Sequence, residues 1–522
     1  MLSLLLACSQ PADLLLVDGQ IHTTPGTVTD AIAITDGEVV ALGDEALDLD
    51  ATQTLDLGGR VATAGLHDAH MHALAGSFLM ERLLVLGVSS MDALVEQVAA
   101  YAGEHPEEPW VIGLGWTNQL LPSPDGRLLD QAVSDRPVLL INSSGHSAVV
   151  NGMALAIAGI TDDTPDPEGG EIVRDPETGQ ATGELKEAAM GMVVEYALLD
   201  YGDAELSPPL ATMLQDLADS GVTSISEILA APGVDLTRPW LFTELDERGE
   251  LPLRVHLYWP VFELSDLAAA DAERSSWETN RVRFAGAKVW VDGSLSNMQG
   301  WTEDAYTSSG EHGSHYFNVE ELTEIVQEAE GLGVPLRIHA MGDAAIDAAL
   351  VALEVAEAKG GLSQQHSIEH AVLTSDVDKA RMAALGVVAS MQPSHRLAAG
   401  LAGWDDELAS WELDEAYDFG GLHDAGVVQA FGTDFPAWPT YDGPVTLWAA
   451  VNDPRPGALS VEESLAAYTQ GSGQASGMDL GSLEVGMPAD LVVWDQDPFS
   501  MDPKQLSDLN VWGSWVGGVR ER

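Results

Sequence analysis

Apolar residues along this chain follow two textures. From residue 12 to about 62 they come in short β-rich runs separated by turn pairs. Leu14-Leu15-Leu16-Val17 leads into Asp18-Gly19 and then Ile21-His22-Thr23. Ala31-Ile32-Ala33-Ile34 leads into Asp36-Gly37 and then Val39-Val40-Ala41-Leu42. Asp-Gly between such runs is a strong local hairpin signal. The same texture returns near the far end, in Ala489-Asp490-Leu491-Val492-Val493-Trp494 and again from Val511 to Val519. Both chain ends therefore predict one small composite β-sandwich, 12–62 plus 478–522, with the middle inserted into it.

Residues 63–477 alternate strand-like runs with amphipathic helical ones. Strand-like runs occupy 253–257, 287–291, 334–339, 367–370, 387–391 and 428–432; helical ones occupy 319–331, 343–358 and 375–385. This alternation predicts an α/β fold with a parallel sheet, and eight such units close a (β/α)8 TIM barrel. The stretch from about 103 to 201 fits the repeat poorly. Its Pro/Gly-rich pieces, 165–170 and 175–183, predict a long insertion over the barrel mouth.

Candidate chemistry begins at His70-Met71-His72, which ends an apolar, Gly-punctuated run. Residues two apart on an extended strand share a face, so both imidazoles can reach one point. Two neutral imidazoles at one point suggest a transition metal, most often zinc. Such a pair is weak evidence alone, but ligand-type residues recur later at matching spacing. His339 and His370 are about one βα unit apart, and Asp434 follows about two units on, with the strand-like run 387–391 at the unit between. Lys288 also lies near the end of an apolar run. Functional residues of such barrels sit at the C-terminal strand ends, so these six residues would converge without being near in sequence.

Charge and cysteine usage narrow the picture. The 522-residue chain carries a net charge of -61, with five Lys among 22 basic residues. That excludes nucleic acid as an expected partner, since a phosphate backbone needs a basic face, and it fits a solvated acidic surface. No Gly-Lys-Ser/Thr loop is present, so P-loop nucleotide hydrolysis is excluded. Cys8 is the single cysteine, which rules out an intramolecular disulfide and a Cys-rich zinc site. Its context, Leu4-Leu5-Leu6-Ala7-Cys8, resembles the lipobox of bacterial lipoproteins. Residues 1–11 are accordingly read as a truncated lipoprotein signal, with a lipid anchor at Cys8 and a place in the bacterial cell envelope. The apolar stretch is short and no basic residue precedes it, so a frayed terminus on a cytoplasmic protein is the alternative.

The motifs converge on one family. They include Gly65-Leu66-His67-Asp68-Ala69-His70-Met71-His72, Gly113-Leu114-Gly115-Trp116, Gly145-His146-Ser147-Ala148 and Lys288-Val289-Trp290-Val291-Asp292-Gly293-Ser294. Further on come His339-Ala340-Met341-Gly342-Asp343, Ile368-Glu369-His370, Ser390-Met391-Gln392-Pro393-Ser394-His395 and Gly432-Thr433-Asp434. Through them the chain resembles the metal-dependent amidohydrolase superfamily, in particular the family 3 branch with the N-substituted formamide deformylases.

That resemblance implies a site. His70 and His72 would bind a first metal, and His339 and His370 a second. Lys288, on the fourth barrel strand, would be carboxylated by CO2 and bridge both. An ammonium has no acceptor and cannot ligate, whereas a carbamate is an anionic oxygen ligand. Asp434 would bind metal and take the proton of the attacking water. The implied cofactors are two Zn2+ ions, with one as the alternative, and the carbamate on Lys288. His146 and His395 are implied substrate contacts. Trp116, with Trp438 as a second aromatic, is placed near the pocket. Asp292 joins them because strand alternation sets it on the face of Lys288; capping a turn is its alternative.

The implied activity is hydrolysis of a C–N bond in a small linear amide, N-formyl or carbamate-like substrate. A cyclic amide or ester is the alternative, and a metal-free scaffold of the same fold is the non-enzymatic rival. Three departures from relatives flank the expected pocket: Ser296-Asn297-Met298-Gln299-Gly300, Gln364-Gln365-His366-Ser367 and Phe435-Pro436-Ala437-Trp438-Pro439. A competing local motif, His366-Ser367-Ile368-Glu369-His370, matches the H-x-x-E-H of inverted zinc metallopeptidases, which requires a helix. Oligomeric state is left open, a homodimer included.

Overall fold

Eight strands, named here β1 to β8, form the centre of the computed structural model. They are β1 Leu66–Met71, β2 Val222–Ile228, β3 Arg254–Val261, β4 Val282–Trp290, β5 Leu336–Ala340, β6 Ser367–His370, β7 Val388–Met391 and β8 Gln429–Phe431. The structure describes residues 11–522 apart from 168, 232–233, 236, 397–406, 409–412, 414, 438–439 and 454–457. Each strand pairs in parallel with the next. The ring closes where Asp434 N donates to His70 O (2.7 Å) and His72 N donates to Phe435 O (2.9 Å). This is the (β/α)8 barrel that the alternation predicts.

The strands are buried on both faces, as a barrel with an outer ring of helices requires. Leu336, Ile338 and Ile368 join the large apolar core. Arg337, between Leu336 and Ile338, and Glu369, next after Ile368, turn into the barrel, where Arg337 meets Glu369, Ser226 of β2 and Ser390 of β7. The helices Val319–Leu332, Asp343–Gly360 and Asp376–Leu385 match the predicted ones to within a few residues. Capping explains their sharp starts: Asn318 with Glu321, and Ser375 with Asp378, form reciprocal capping boxes.

Both chain ends meet in two further sheets. Ala12–Val17, Ile32–Thr35, Glu38–Leu42 and Ala51–Asp56 make a four-stranded sheet. In the second sheet, Val61–Ala64 pairs with Gln20–Thr24 on one side and Leu491–Trp494 on the other, joining the two termini. Leu14, Ile34 and Val39 of the first sheet pack with Ile21, Leu491 and Trp515 of the second in one apolar cluster.

Between β1 and β2 the chain builds another six-stranded sheet, in the order Gly170–Arg174, Ala181–Glu187, Ser147–Val150, Val138–Asn142, Val111–Trp116 and Leu83–Leu84. The earliest of these strands in the chain, Leu83–Leu84, lies ahead of residue 103. The helix Ala188–Leu199 follows it, and Asp203–Asp219 then leads into β2. Among the described residues no helix is long and apolar enough to cross a membrane. Cys8 lies outside the described residues.

Candidate metal centre

His70 sits in β1, and His72 is the first residue beyond it, where the helix Ala73–Met80 begins. Their Nε2 atoms each lie 3.4 Å from Asp434 Oδ1. Both Nδ1 atoms are already engaged, that of His70 by Glu369 and that of His72 by Ile228 O at 2.9 Å. An imidazole that gives its Nδ1 proton to an acceptor keeps a lone pair at Nε2, the arrangement metal-ligating histidines use.

His370 ends β6 with its Nδ1 2.8 Å from Gln392 Oε1. Its ring centroid lies 4.5 Å from that of His339 and 5.0 Å from that of His70. His70, His370 and Asp434 each offer a ligand atom, all within 4.8 Å of one another. His370 and Asp434 also adopt positive φ angles, 70° and 53°. Non-glycine residues hold that conformation only where their surroundings enforce it, and such positions cluster at functional sites.

Lys288 and His339 line the same cavity. Lys288 Nζ, His339 Nε2 and the nearby His395 Nε2 are buried without a hydrogen-bond partner. Buried polar atoms are normally satisfied, so the two unsatisfied ones on residues of the cavity wall, Lys288 Nζ and His339 Nε2, point to a group that belongs there. His70, His72, His339, His370 and Asp434, with Lys288 beside them, fit a divalent metal.

Burial governs the charge state. It pushes His70 down to about 4, helped by Lys288, and holds His339 and His370 well below the ordinary histidine value. These imidazoles stay neutral and keep their lone pairs. Burial also lowers Lys288 to about 8, against the pull of Glu369 and Asp434.

A surrounding set of carboxylates positions these groups, and sequence reading gave them no role. Glu369 accepts from Arg337 Nη1 (3.0 Å) and Ser367 Oγ (2.8 Å) while holding His70. Asp68 ties β1 to the loop that carries Asp434 through Thr433. Glu227 accepts from Ala73 N (2.6 Å) and Leu74 N (3.2 Å), fixing the helix start just after His72. Burial pushes it up to about 8. The only signal in sequence is one acidic residue inside each of the strands β1, β2 and β6.

The expected substrate contacts divide. His146 lines the cavity, its Nδ1 2.7 Å from Glu187 Oε2, and Glu187 also accepts from Tyr316 Oη (3.2 Å). His395 Nε2 is 3.8 Å from Asp434 Oδ2, so it joins the cluster. Asp292 does not line the cavity. Its carboxylate accepts backbone N–H bonds from Trp301, Met341 and Gly342, and Oδ1 lies 3.5 Å from His339 Nε2, so it secures the loop after β5.

Trp116 is also away from the cavity: it is fully buried and its indole donates to Leu140 O at 2.9 Å. A bulge between Leu114 and Trp116, with Gly115 at φ 116°, turns Trp116 to the opposite face from Leu114. Trp290 lines the cavity, and Trp438 lies outside the described residues. The H-x-x-E-H reading fails, because Ser367–His370 is a strand. His366 instead accepts from Leu336 N (3.0 Å) and pairs with Glu330 (2.8 Å).

With this geometry in hand, comparison with known proteins decides the family. Residues 53–520 match the model described as the amidohydrolase family. The chain belongs to that family. As an amidohydrolase it is 29% identical to the protein LONG AFTER FAR-RED 3 of Arabidopsis thaliana, over 97% of this chain and 91% of that protein. It is 26% identical to the N-substituted formamide deformylase of Arthrobacter pascens, over 98% of both. Among solved structures, an uncharacterized metal-dependent hydrolase from Pyrococcus furiosus superposes with a TM-score of 0.72 at 27% identity, covering 93% of this chain and 100% of that one.

Proposed function

We propose that this amidohydrolase is a metal-dependent hydrolase that cleaves the C–N bond of a linear amide, N-formyl or carbamate-like substrate. One observation carries the reading: Asp434 Oδ1 stands 3.4 Å from the free Nε2 atoms of both His70 and His72, all three residues lining one cavity. A carboxylate so placed is both a ligand and a proton acceptor. The resemblance to a formamide deformylase and to a metal-dependent hydrolase supports the same bond class and cofactor.

A divalent metal, zinc being the natural choice for imidazole and carboxylate ligands, supplies a lowered water pKa and polarises the scissile carbonyl. The chain's own residues do the rest. Asp434, as the carboxylate, takes a proton from the attacking water as the C–O bond forms. The C–N bond then breaks and that proton passes to the departing nitrogen, so one water is consumed and a carboxylic acid and an amine form, leaving as carboxylate and ammonium once the acid proton passes to the amine. His146, fixed through Nδ1 by Glu187, hydrogen-bonds the substrate from the cavity wall. Lys288 reacts as a neutral amine with CO2, losing a proton to become a carbamate; burial favours the neutral amine.

The test is release of amine from a panel of N-formyl and N-acyl amines by metal-loaded protein, with bound metal measured by mass spectrometry. Expected are retained metal and turnover of at least one class. Protein that retains no metal and releases no amine overturns the reading and leaves the scaffold.

A further inference from the structure

The cavity extends from the metal centre into an apolar space that the centre itself does not need. Two helical stripes face it. Leu74 and Phe78 lie one turn apart on the helix Ala73–Met80, and Met190, Val194 and Leu198 lie at four-residue steps on the helix Ala188–Leu199. The second helix belongs to the segment inserted between β1 and β2. It is apolar nearly all round: Met190, Val193, Val194 and Ala197 are all buried in the core cluster, while Glu195 and Tyr196 face solvent. An apolar stripe normally packs against another element. Here it lines space continuous with His70, His72 and Asp434.

No free charge lines this end: the Arg82 guanidinium, 4.3 Å from the Phe78 ring, lies off the cavity wall and is paired with Glu108 at 2.9 Å. Among the described lining residues the one lysine or arginine is Lys288, which stands at the metal centre. His146 is paired with Glu187, and the Glu227 carboxylate is spent on the N–H groups of Ala73 and Leu74. A carboxylate on the substrate would find no partner here and would be stripped of water, which is costly. The net charge of -61 also works against entry of anions.

We infer that the two facing stripes form a subsite for an uncharged alkyl or aryl substituent on one side of the scissile bond, and that N-acyl amino acids and other carboxylate-bearing amides are excluded. Leu74, Phe78, Met190, Val194 and Leu198 are then the specificity-determining residues, set by the inserted segment. This rests on the proposal that the scissile bond lies at the metal centre.

Two homologous series on metal-loaded protein test it: formamides with a lengthening N-alkyl group, and N-methylamides with a lengthening acyl chain. One series should gain about fourfold in kcat/KM per added methylene until the chain fills the space. Which series gains shows the side of the bond that the subsite serves. A terminal carboxylate should reduce the rate about a hundredfold or more. Val194→Trp, checked for a native melting transition, should move the preferred chain to a shorter one.

Methyl n-alkyl ketones, which the enzyme cannot cleave, give a readout independent of turnover. Calorimetric Kd should tighten by about fourfold per methylene. Turnover without chain-length dependence in either series overturns the subsite and leaves the hydrolase. Ketone binding that tightens with length, in the absence of any amide cleavage, supports the subsite and overturns the proposed reaction. Kd values that do not change with chain length overturn the subsite whatever the turnover.

Discussion

Asp68 and Thr433 are 365 positions apart and meet through two hydrogen bonds: Asp68 Oδ1 accepts from Thr433 N at 3.0 Å, and Oδ2 accepts from the Thr433 hydroxyl at 2.7 Å. Asp68 Oδ1 also accepts from His70 N at 3.1 Å. One buried carboxylate therefore sets the spacing between His70 and the loop carrying Asp434. Thr433→Val keeps the shape but leaves Oδ2 unsatisfied, at a cost of about 1–3 kcal/mol. Metal affinity should fall about 10–100-fold, as for other groups that orient ligands. Denaturant unfolding and a metal titration check both; unchanged affinity would show that this tie is not needed at the metal centre.

Asp434→Asn removes the proton acceptor and leaves every imidazole in place. We expect kcat to drop by a factor of about 10²–10⁴ while at least one metal is retained. Kinetics with parallel metal analysis decides, and wild-type turnover in the variant would remove Asp434 from the role of base.

Lys288→Ala should lose metal from one or both positions, and activity with it. Short carboxylates added in solution should restore part of each by filling the vacated position, whereas Lys288→Arg should not respond. The carbamate itself is testable with ¹³C-bicarbonate: a labelled signal should appear in wild-type protein and be missing from Lys288→Ala. A wild-type protein with full metal and no such signal contradicts carboxylation.

Away from the site, Glu330 gives a pH dependence with a defined sign. Burial alone would raise its pKa, but the bonds from His366, Ser363 and Gln364 hold it at about 2, below the ordinary 4.5. Because the folded value lies below the unfolded one, its stabilisation is complete above about pH 4.5 and is lost as pH falls toward 2. Glu330→Gln should therefore destabilise metal-free protein at pH 6 and converge on wild type as pH is lowered. Urea midpoints of both proteins across that range test it; a constant gap would contradict the hydrogen bonds that hold Glu330 ionised.

The sequence by itself determined the features whose cause is local. Strand-helix alternation, Asp-Gly turns and capping residues act over a few positions, so the barrel and the helix starts at Asn318 and Ser375 are legible in it. His70, His72, Lys288, His339, His370 and Asp434 could be singled out because a parallel barrel sends the ends of its strands to one face, a rule of topology. Only the tertiary structure decided what depends on partners far along the chain. Glu369 and Asp68 acquire their roles from His70 and Thr433, at separations that no local pattern encodes. A bulge at Gly115 sets Trp116 on the face opposite Leu114, which lines the cavity. The apolar stripes on the helices Ala73–Met80 and Ala188–Leu199 read in sequence as ordinary core. Whether such a stripe is packed shut or lines a cavity is set by what stands opposite it, and that is known only once the chain has folded.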